Sequence, residues 1–306
     1  MGKAAVLLLA HGTPDKIEEI PEYLRNVTSG RPLPEAVVEE IKHRYAQIGR
    51  SPLTEITMRQ AELVSEELHM PVYVGMRNWR PYIGDTVRQM AEDGVTEAIA
   101  ICLAPHNSRT SVGLYRRAVV GETGNAPFTV TFVESWHDHP LLIEAFGQRL
   151  RAGYMRAMKE YETALPVILT AHSVPVRTVE AGDPYEKQAR HTAELLAACV
   201  PEIEEWRFAF QSQGMSGGAW LGPTVEDTIA ELAAAGHKAV FMQPIGFVCD
   251  HVEILYDIDI MFRDVAAKHG MTLRRAESLN DSPLFARAVA ELAREHMSGE
   301  QGIRLR

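Results

Sequence analysis

The chain has 306 residues, 46% hydrophobic and 24% charged, which is ample apolar material for one large or two ordinary globular domains. Its net charge of −10, with no basic tract or arginine stripe, speaks against nucleic acid and anionic lipid as partners. The three cysteines, Cys102, Cys199 and Cys249, share no CxxC spacing, so neither a disulfide framework nor a cysteine-bound cluster is expected, and a reducing cytoplasm is the expected setting.

The first apolar run, residues 4–10, is far shorter than the roughly 20 residues that span a bilayer and lacks a small-residue cleavage site, so it reads as a buried strand. Residues 13–34 follow, an excursion holding Pro14, Pro21, Pro32, Pro34 and Gly30; long structured loops at strand ends usually cover a ligand. Further strands are expected at 72–76, 98–103 and 128–133, with amphipathic helices at 35–47, 58–68 and 85–93. A long helix over 140–161 leads to a second series: strands at 167–170, 206–210, 239–243 and 271–274, and helices at 185–199, 224–235 and 251–269. A last helix at 282–296 can pack on either half. Buried strands alternating with helices imply an α/β fold with parallel sheets covered on both faces, divided into lobes at 1–145 and 146–306.

The two halves echo each other. LLLAHGTP ends at Pro14 and VILTAHSVP at Pro175, which puts His11 and His172 at equivalent strand ends. EAIAICLAPH and HKAVFMQPIGFVCDH likewise end at His106 and His251. A duplication with polar groups at its strand ends predicts a cleft between two similar lobes. A single histidine at such a place is either a structural hydrogen-bonder or a ligand; His172, between a buried strand and the turn at 182–185, is the stronger site candidate, and His11 and His106 are open between the two roles. His43, His69, His191, His237, His269 and His296 stand in polar contexts and are expected at the surface. The Gly-rich stretch 211–223, with Gly214, Gly217, Gly218, Gly222 and Trp220, matches neither GxGxxG nor GxxxxGK[ST], so a phosphate site is not expected there.

Residues 246–259 are the densest constellation. A helix starting near Asp250 would set Asp250, Glu253 and Asp257 on one face, near a helix start that favours negative charge. They are either a solvated first turn capped by Asp250 or, given the apolar lead-in 241–248, carboxylates directed into a cleft.

In order along the chain, AHGTP at 10–14, RYAQIGRSPL at 44–53, LAPHNS at 103–108, TAHSVP at 170–175, GDPY at 182–185, FQSQG at 210–214, WLGP at 220–223 and GFVCDHVEILYDID at 246–259 resemble the ferrochelatase family. The resemblance implies two Rossmann-like lobes of four parallel strands each, and insertion of Fe²⁺ into a porphyrin held between them. It implies no prosthetic cofactor and no Fe–S cluster; porphyrin and ferrous iron are substrates, and a downstream haem acceptor is a conceivable protein partner. His172 and Glu253 are then the catalytic and metal-handling pair, facing each other across the ring plane, with Asp257 as an outer metal station or proton relay. Met261 stands where relatives often carry one more carboxylate. The loop 13–34 would cover the porphyrin, and His11, Thr13, Arg31, Arg44, Ser51, His106 and Trp220 would contact porphyrin or haem. Coproporphyrin-using members commonly have Tyr where this chain has His11, and some have Arg where it has Thr28. Imidazole is itself a strong haem ligand, so His11 is expected at the macrocycle face and coproporphyrin III is expected ahead of protoporphyrin IX. The competing readings are a cobalt chelatase, against which the FQSQG and HVEILYDID blocks speak, and a haem-transfer protein, which has no need of Glu253 opposite His172.

Overall fold

The computed structural model describes residues 2–124, 126–213, 217–297 and 303–305. The first lobe runs β1 (Lys3–Ala10), α1 (Ile20–Val27), α2 (Glu35–Ile48), α3 (Leu53–Leu68), β2 (Val72–Met76), α4 (Ile83–Glu92), β3 (Val95–Cys102), α5 (Val112–Thr123) and β4 (Thr129–Val133). The long helix α6 (Pro140–Tyr161) leads into β5 (Val167–His172), α7 (Val176–Glu180), α8 (Tyr185–Cys199), β6 (Trp206–Gln211), α9 (Val225–Ala234) and β7 (Ala239–Pro244). After α10 (Val252–Leu255), a π-helical turn (Asp257–Phe262) and α11 (Arg263–Lys268) come β8 (Thr272–Arg275), α12 (Pro283–Met297) and β9 (Ile303–Leu305).

Two sheets result, ordered β2-β1-β3-β4-β9 and β6-β5-β7-β8. All pairings are parallel except that of β9, which lies antiparallel on β4. The first sheet therefore has five strands where four were expected. Alternate residues of β1 feed different cores: Val6, Leu8 and Ala10 face the core shared by both lobes, while Ala5, Leu7 and Leu9 face the outer helices of the first lobe. Burial on both faces is why the run reads as continuously apolar, and each buried leucine contributes roughly 1.5–3 kcal/mol. The shared core takes in Phe146 and Tyr154 of α6 and Phe285, Val289 and Leu292 of α12, so these two helices fill the space between the sheets.

In each sheet the first strand in sequence has parallel neighbours on both sides, β2 and β3 around β1, and β6 and β7 around β5. The crossovers from β1 and β3 thus run to opposite sides, as do those from β5 and β7, and the crevice at the carboxyl ends of such strand pairs is where open α/β sheets take ligands. His11 directly follows β1, and His172 is the last residue of β5.

The excursion 13–34 is not purely a loop. It contains α1, whose Ile20, Tyr23 and Leu24 make a small core with Tyr45 and Trp79. The helix expected over 251–269 is broken into α10, the π-helical turn and α11. Within the turn Met261 N donates to Tyr256 O at 2.9 Å, a span of five residues.

Candidate functional site

A cavity of about 770 Å³ opens between the carboxyl ends of β1 and β5, within the size range of small-molecule sites. Of the sequence-predicted residues, His11, Thr13, His106, His172, Trp220 and Glu253 line it. Its other walls include Tyr23, Arg77, Arg109, Tyr115, Arg177, Tyr185, Phe247 and His251.

His172 is fixed from two sides. Its Nδ1 lies 2.5 Å from Ser173 O, and Tyr185 Oη donates to the His172 carbonyl at 2.8 Å. With Nδ1–H donated to a carbonyl, Nε2 carries the lone pair of the neutral ring. That Nε2 is 3.8 Å from Glu253 Oε2, and His251 Nε2 is 4.0 Å from the same oxygen. A flat macrocycle between His172 and Glu253 would need about 7 Å, twice the usual carbon contact distance of about 3.5 Å. In this structure the pair leaves no room for a flat macrocycle between its members.

Glu253 Oε2 is buried and makes no hydrogen bond among the described residues. Burial pushes its carboxyl up, but the imidazoles of His172, His251 and His11 and the Arg44 guanidinium outweigh this and hold it below the usual range. His251 Nδ1 lies 3.0 Å from Cys249 O, its ring packs edge-on to Phe247, and burial lowers its pKa. His251 echoes His106 in the sequence, and its two-residue spacing from Glu253 is the signal that places it in the site.

His11 is built differently. Its Nε2 is 2.9 Å from Tyr23 Oη and 3.0 Å from Asn78 Nδ2, and Tyr23 stacks edge-on to Trp79. Burial first, then the charge of Arg77, lowers its pKa to about 3. His11 is thus a neutral imidazole at any ordinary pH. His106 is also buried, its pKa lowered to about 3 mainly by burial, and its Nε2 is committed to Thr192 Oγ1 at 2.9 Å.

The carboxylates divide. Asp250 precedes α10 and faces away from Glu253, accepting from Ser278 Oγ at 2.7 Å and Asn280 Nδ2 at 3.0 Å, with Arg275 at 3.3 Å. Asp259 accepts from Arg275 Nε and Nη2, at 2.9 and 2.7 Å. Asp257 is buried behind Glu253, accepts from Ser212 Oγ at 2.5 Å and lies 3.5 Å from Arg44 Nη1. Burial, and then the charge of Glu253, raises its pKa to about 6. The common face expected for Asp250, Glu253 and Asp257 is absent because α10 lasts only four residues before the π-helical turn changes the register.

The expected anion donors are scattered. Arg31 is exposed and donates to Thr28 O at 3.2 Å, while Arg44 is drawn to Glu40 at 3.0 Å and to Asp257, with its guanidinium over Tyr256. Ser51 is buried with its hydroxyl unpartnered, and none of the three lines the cavity. Thr13 does line it, with a buried and unpartnered Oγ1. The arginines that line it are Arg77, Arg109 and Arg177, which sequence reasoning missed because they fall outside the recognised phrases. Arg77 Nε is buried without a hydrogen-bond partner, and its guanidinium lies 5.5 Å from the Tyr115 ring centre. Among the histidines expected at the surface, His296 is buried instead, its Nδ1 2.8 Å from Leu292 O, because the apolar face of α12 is packed from several sides. Gly214 lies outside the described residues.

A family model described as Ferrochelatase matches residues 3–297. The chain is 57% identical over 305 residues to a Ferrochelatase of Acidobacterium capsulatum, covering 95% of this chain and 94% of the relative. It is 40% identical over 296 residues to a Ferrochelatase of Deinococcus radiodurans, covering 94% of each. A Coproporphyrin III ferrochelatase of Bacillus subtilis is 35% identical over 298 residues, covering 94% of this chain and 96% of the relative. Among solved structures, the sirohydrochlorin chelatase SirB of Bacillus subtilis subspecies spizizenii, in complex with cobalt, superimposes with a TM-score of 0.62 at 12% identity and covers 97% of both chains. That likeness is one of fold.

Proposed function

The chain belongs to the ferrochelatase family, a lyase that inserts metal into porphyrin, and from that premise we propose that it uses His172 and Glu253 to metallate coproporphyrin III with Fe²⁺. The observation that carries the reading is the 3.8 Å approach of His172 Nε2 to Glu253 Oε2 on the wall of the cavity. Metallation removes two protons from pyrrole nitrogens while Fe²⁺ exchanges water for ring nitrogens. His172, with Nδ1 anchored on Ser173 O, offers Nε2 to the first pyrrole proton, and the ionised Glu253 stabilises the resulting imidazolium. The second proton passes to Glu253 and on toward Asp257, whose pKa raised to about 6 suits a relay near neutral pH. Imidazole and carboxylate donors also suit Fe²⁺ as it sheds water, so the incoming metal meets Glu253 Oε2 flanked by His172 and His251.

The choice of coproporphyrin III rests on the cavity's cations. Four propionates need more donors than two, and Arg77, Arg109 and Arg177 with the unpartnered Thr13 hydroxyl supply them. Relatives 34–35% identical, among them those of Bacillus pumilus and Anoxybacillus flavithermus, are named as coproporphyrin III enzymes. Free thiols at Cys102, Cys199 and Cys249 support a reducing compartment as the place of reaction. The test is steady-state iron insertion with coproporphyrin III and protoporphyrin IX side by side. A hydrogen bond to a charged group is worth about 1.5–3 kcal/mol, so kcat/KM should favour coproporphyrin III by at least about 10-fold. Equal use of the two porphyrins, or preference for protoporphyrin IX, would refute the assignment.

A further inference from the structure

Outside the cleft, His137 and Asp138 on the β4–α6 connection and His191 on α8 bring one ring nitrogen each and one carboxylate oxygen within 4.8 Å of one another. His137 Nε2 and His191 Nδ1 are 3.3 Å apart. Two imidazoles on a tetrahedral metal, each bonded at about 2.0–2.1 Å, place their nitrogens about 3.3–3.4 Å apart. His137 also has the support expected of a ligand. Its Nδ1 lies 2.9 Å from Ser135 Oγ, which bonds onward to Gln188 Oε1 at 3.0 Å, so Nε2 is left with the lone pair. Thr192 Oγ1 holds the His137 carbonyl at 2.8 Å and fixes the backbone beneath the ring.

We propose that His137, Asp138 and His191 form a second metal site, separate from the insertion site, for a borderline divalent transition ion such as Zn²⁺, Co²⁺ or Fe²⁺. Two nitrogens and one oxygen favour such ions over Mg²⁺ or Ca²⁺, and the exposed side of Asp138 leaves room for water as fourth ligand. Among the described residues this is the one group of three His, Cys, Asp or Glu donors that closes so tightly. The inner donors around Glu253 are more open, which suits an ion that must leave. The outer site draws its ligands from both lobes, so an ion bound there clips the β4–α6 connection to α8.

The experiment counts Zn²⁺ bound to the full chain by equilibrium dialysis and follows Co²⁺ by its visible spectrum. Wild type, His191→Ala, Asp138→Asn and His172→Ala are compared, each checked for folding by circular dichroism. His172→Ala should keep the outer ion and its tetrahedral Co²⁺ absorption. His191→Ala should lose that absorption and bind one equivalent less, or bind it at least about 10-fold more weakly, while its iron-insertion kcat at saturating substrates is unchanged. Asp138→Asn should weaken the same equivalent, and excess Mg²⁺ should not displace it. If His191→Ala bound as many equivalents as wild type with the same affinity, or if Mg²⁺ competed on equal terms with Zn²⁺, the site would be overturned.

Discussion

His11 and His172 stand at matching places in two similar sheets, yet their surroundings share almost nothing. His172 has its Nδ1 on a carbonyl and its Nε2 beside the Glu253 carboxylate at the cavity wall. His11 meets a phenol, an amide and the nearby charge of Arg77, and its pKa of about 3 keeps it from acting as a base. Sheet topology sets where the imidazoles stand, whereas the segments that follow the strands set what each can do. After β1 that segment brings in Tyr23; after β5 it brings in Ser173 and Tyr185, and Glu253 arrives from α10, beyond β7.

The largest effect that could break this contrast is on iron insertion. His172→Ala and Glu253→Gln should each lower kcat by about 10²- to 10⁴-fold, the usual weight of a positioned acid or base, with porphyrin affinity nearly retained. Anaerobic haem formation and porphyrin fluorescence read the two quantities. His11→Ala should cost less than about 10-fold in rate but shift the absorption of bound haem, since the neutral imidazole can ligate iron once it leaves Tyr23 and Asn78. Equal rate losses at both histidines would erase the asymmetry.

A smaller effect concerns Asp257. Its folded pKa near 6 exceeds its unfolded value of 3.8, so the folded state binds the extra proton between these values and stability falls as pH rises through that window. Asp257→Asn, neutral throughout, should come close to wild type near pH 4 and exceed it above pH 6 by roughly 3 kcal/mol. Paired thermal melts across pH measure the gap, and its absence at pH 7.5 would remove the buried, strained carboxylate from the second half of the site. The smallest effect is at Tyr185→Phe, which deletes the bond to the His172 carbonyl. A loss of about 1 kcal/mol in positioning should lower kcat several-fold, with binding of porphyrin unchanged.

Most of the fold is legible in the sequence because buried parallel strands are written as unbroken apolar runs. The spans of β2, α6 and α8 coincide with the expected ones at both ends. The element β9 is too short, at three residues, to carry a period, and α5 is interrupted by Gly113 and Gly121, which obscures its helical signal. Within the site, phrases that end strands single out His11, His106 and His172, since a residue following a buried strand has little freedom of position, whereas Glu253 is singled out by the 246–259 block beyond β7. Arg77, Arg109 and Arg177 are illegible because no phrase marks them: Arg77 follows β2, Arg109 lies in the β3–α5 connection and Arg177 on α7, and their sequence neighbours do not set them apart from surface arginines. The spacing of Asp250, Glu253 and Asp257 misleads because it assumes a regular helix, and the carbonyl of Tyr256 takes its bond from Met261.

The antiparallel strand at Ile303–Leu305 completes the first sheet only after the whole second lobe has been made. Until then β4 emerges from the ribosome with one edge of backbone donors and acceptors uncovered, and α12, which packs on α3, has yet to arrive. The first lobe therefore waits, during synthesis, for the end of the second, and shedding residues 303–305 should show itself as aggregation of newly made chains before it shows as lost turnover.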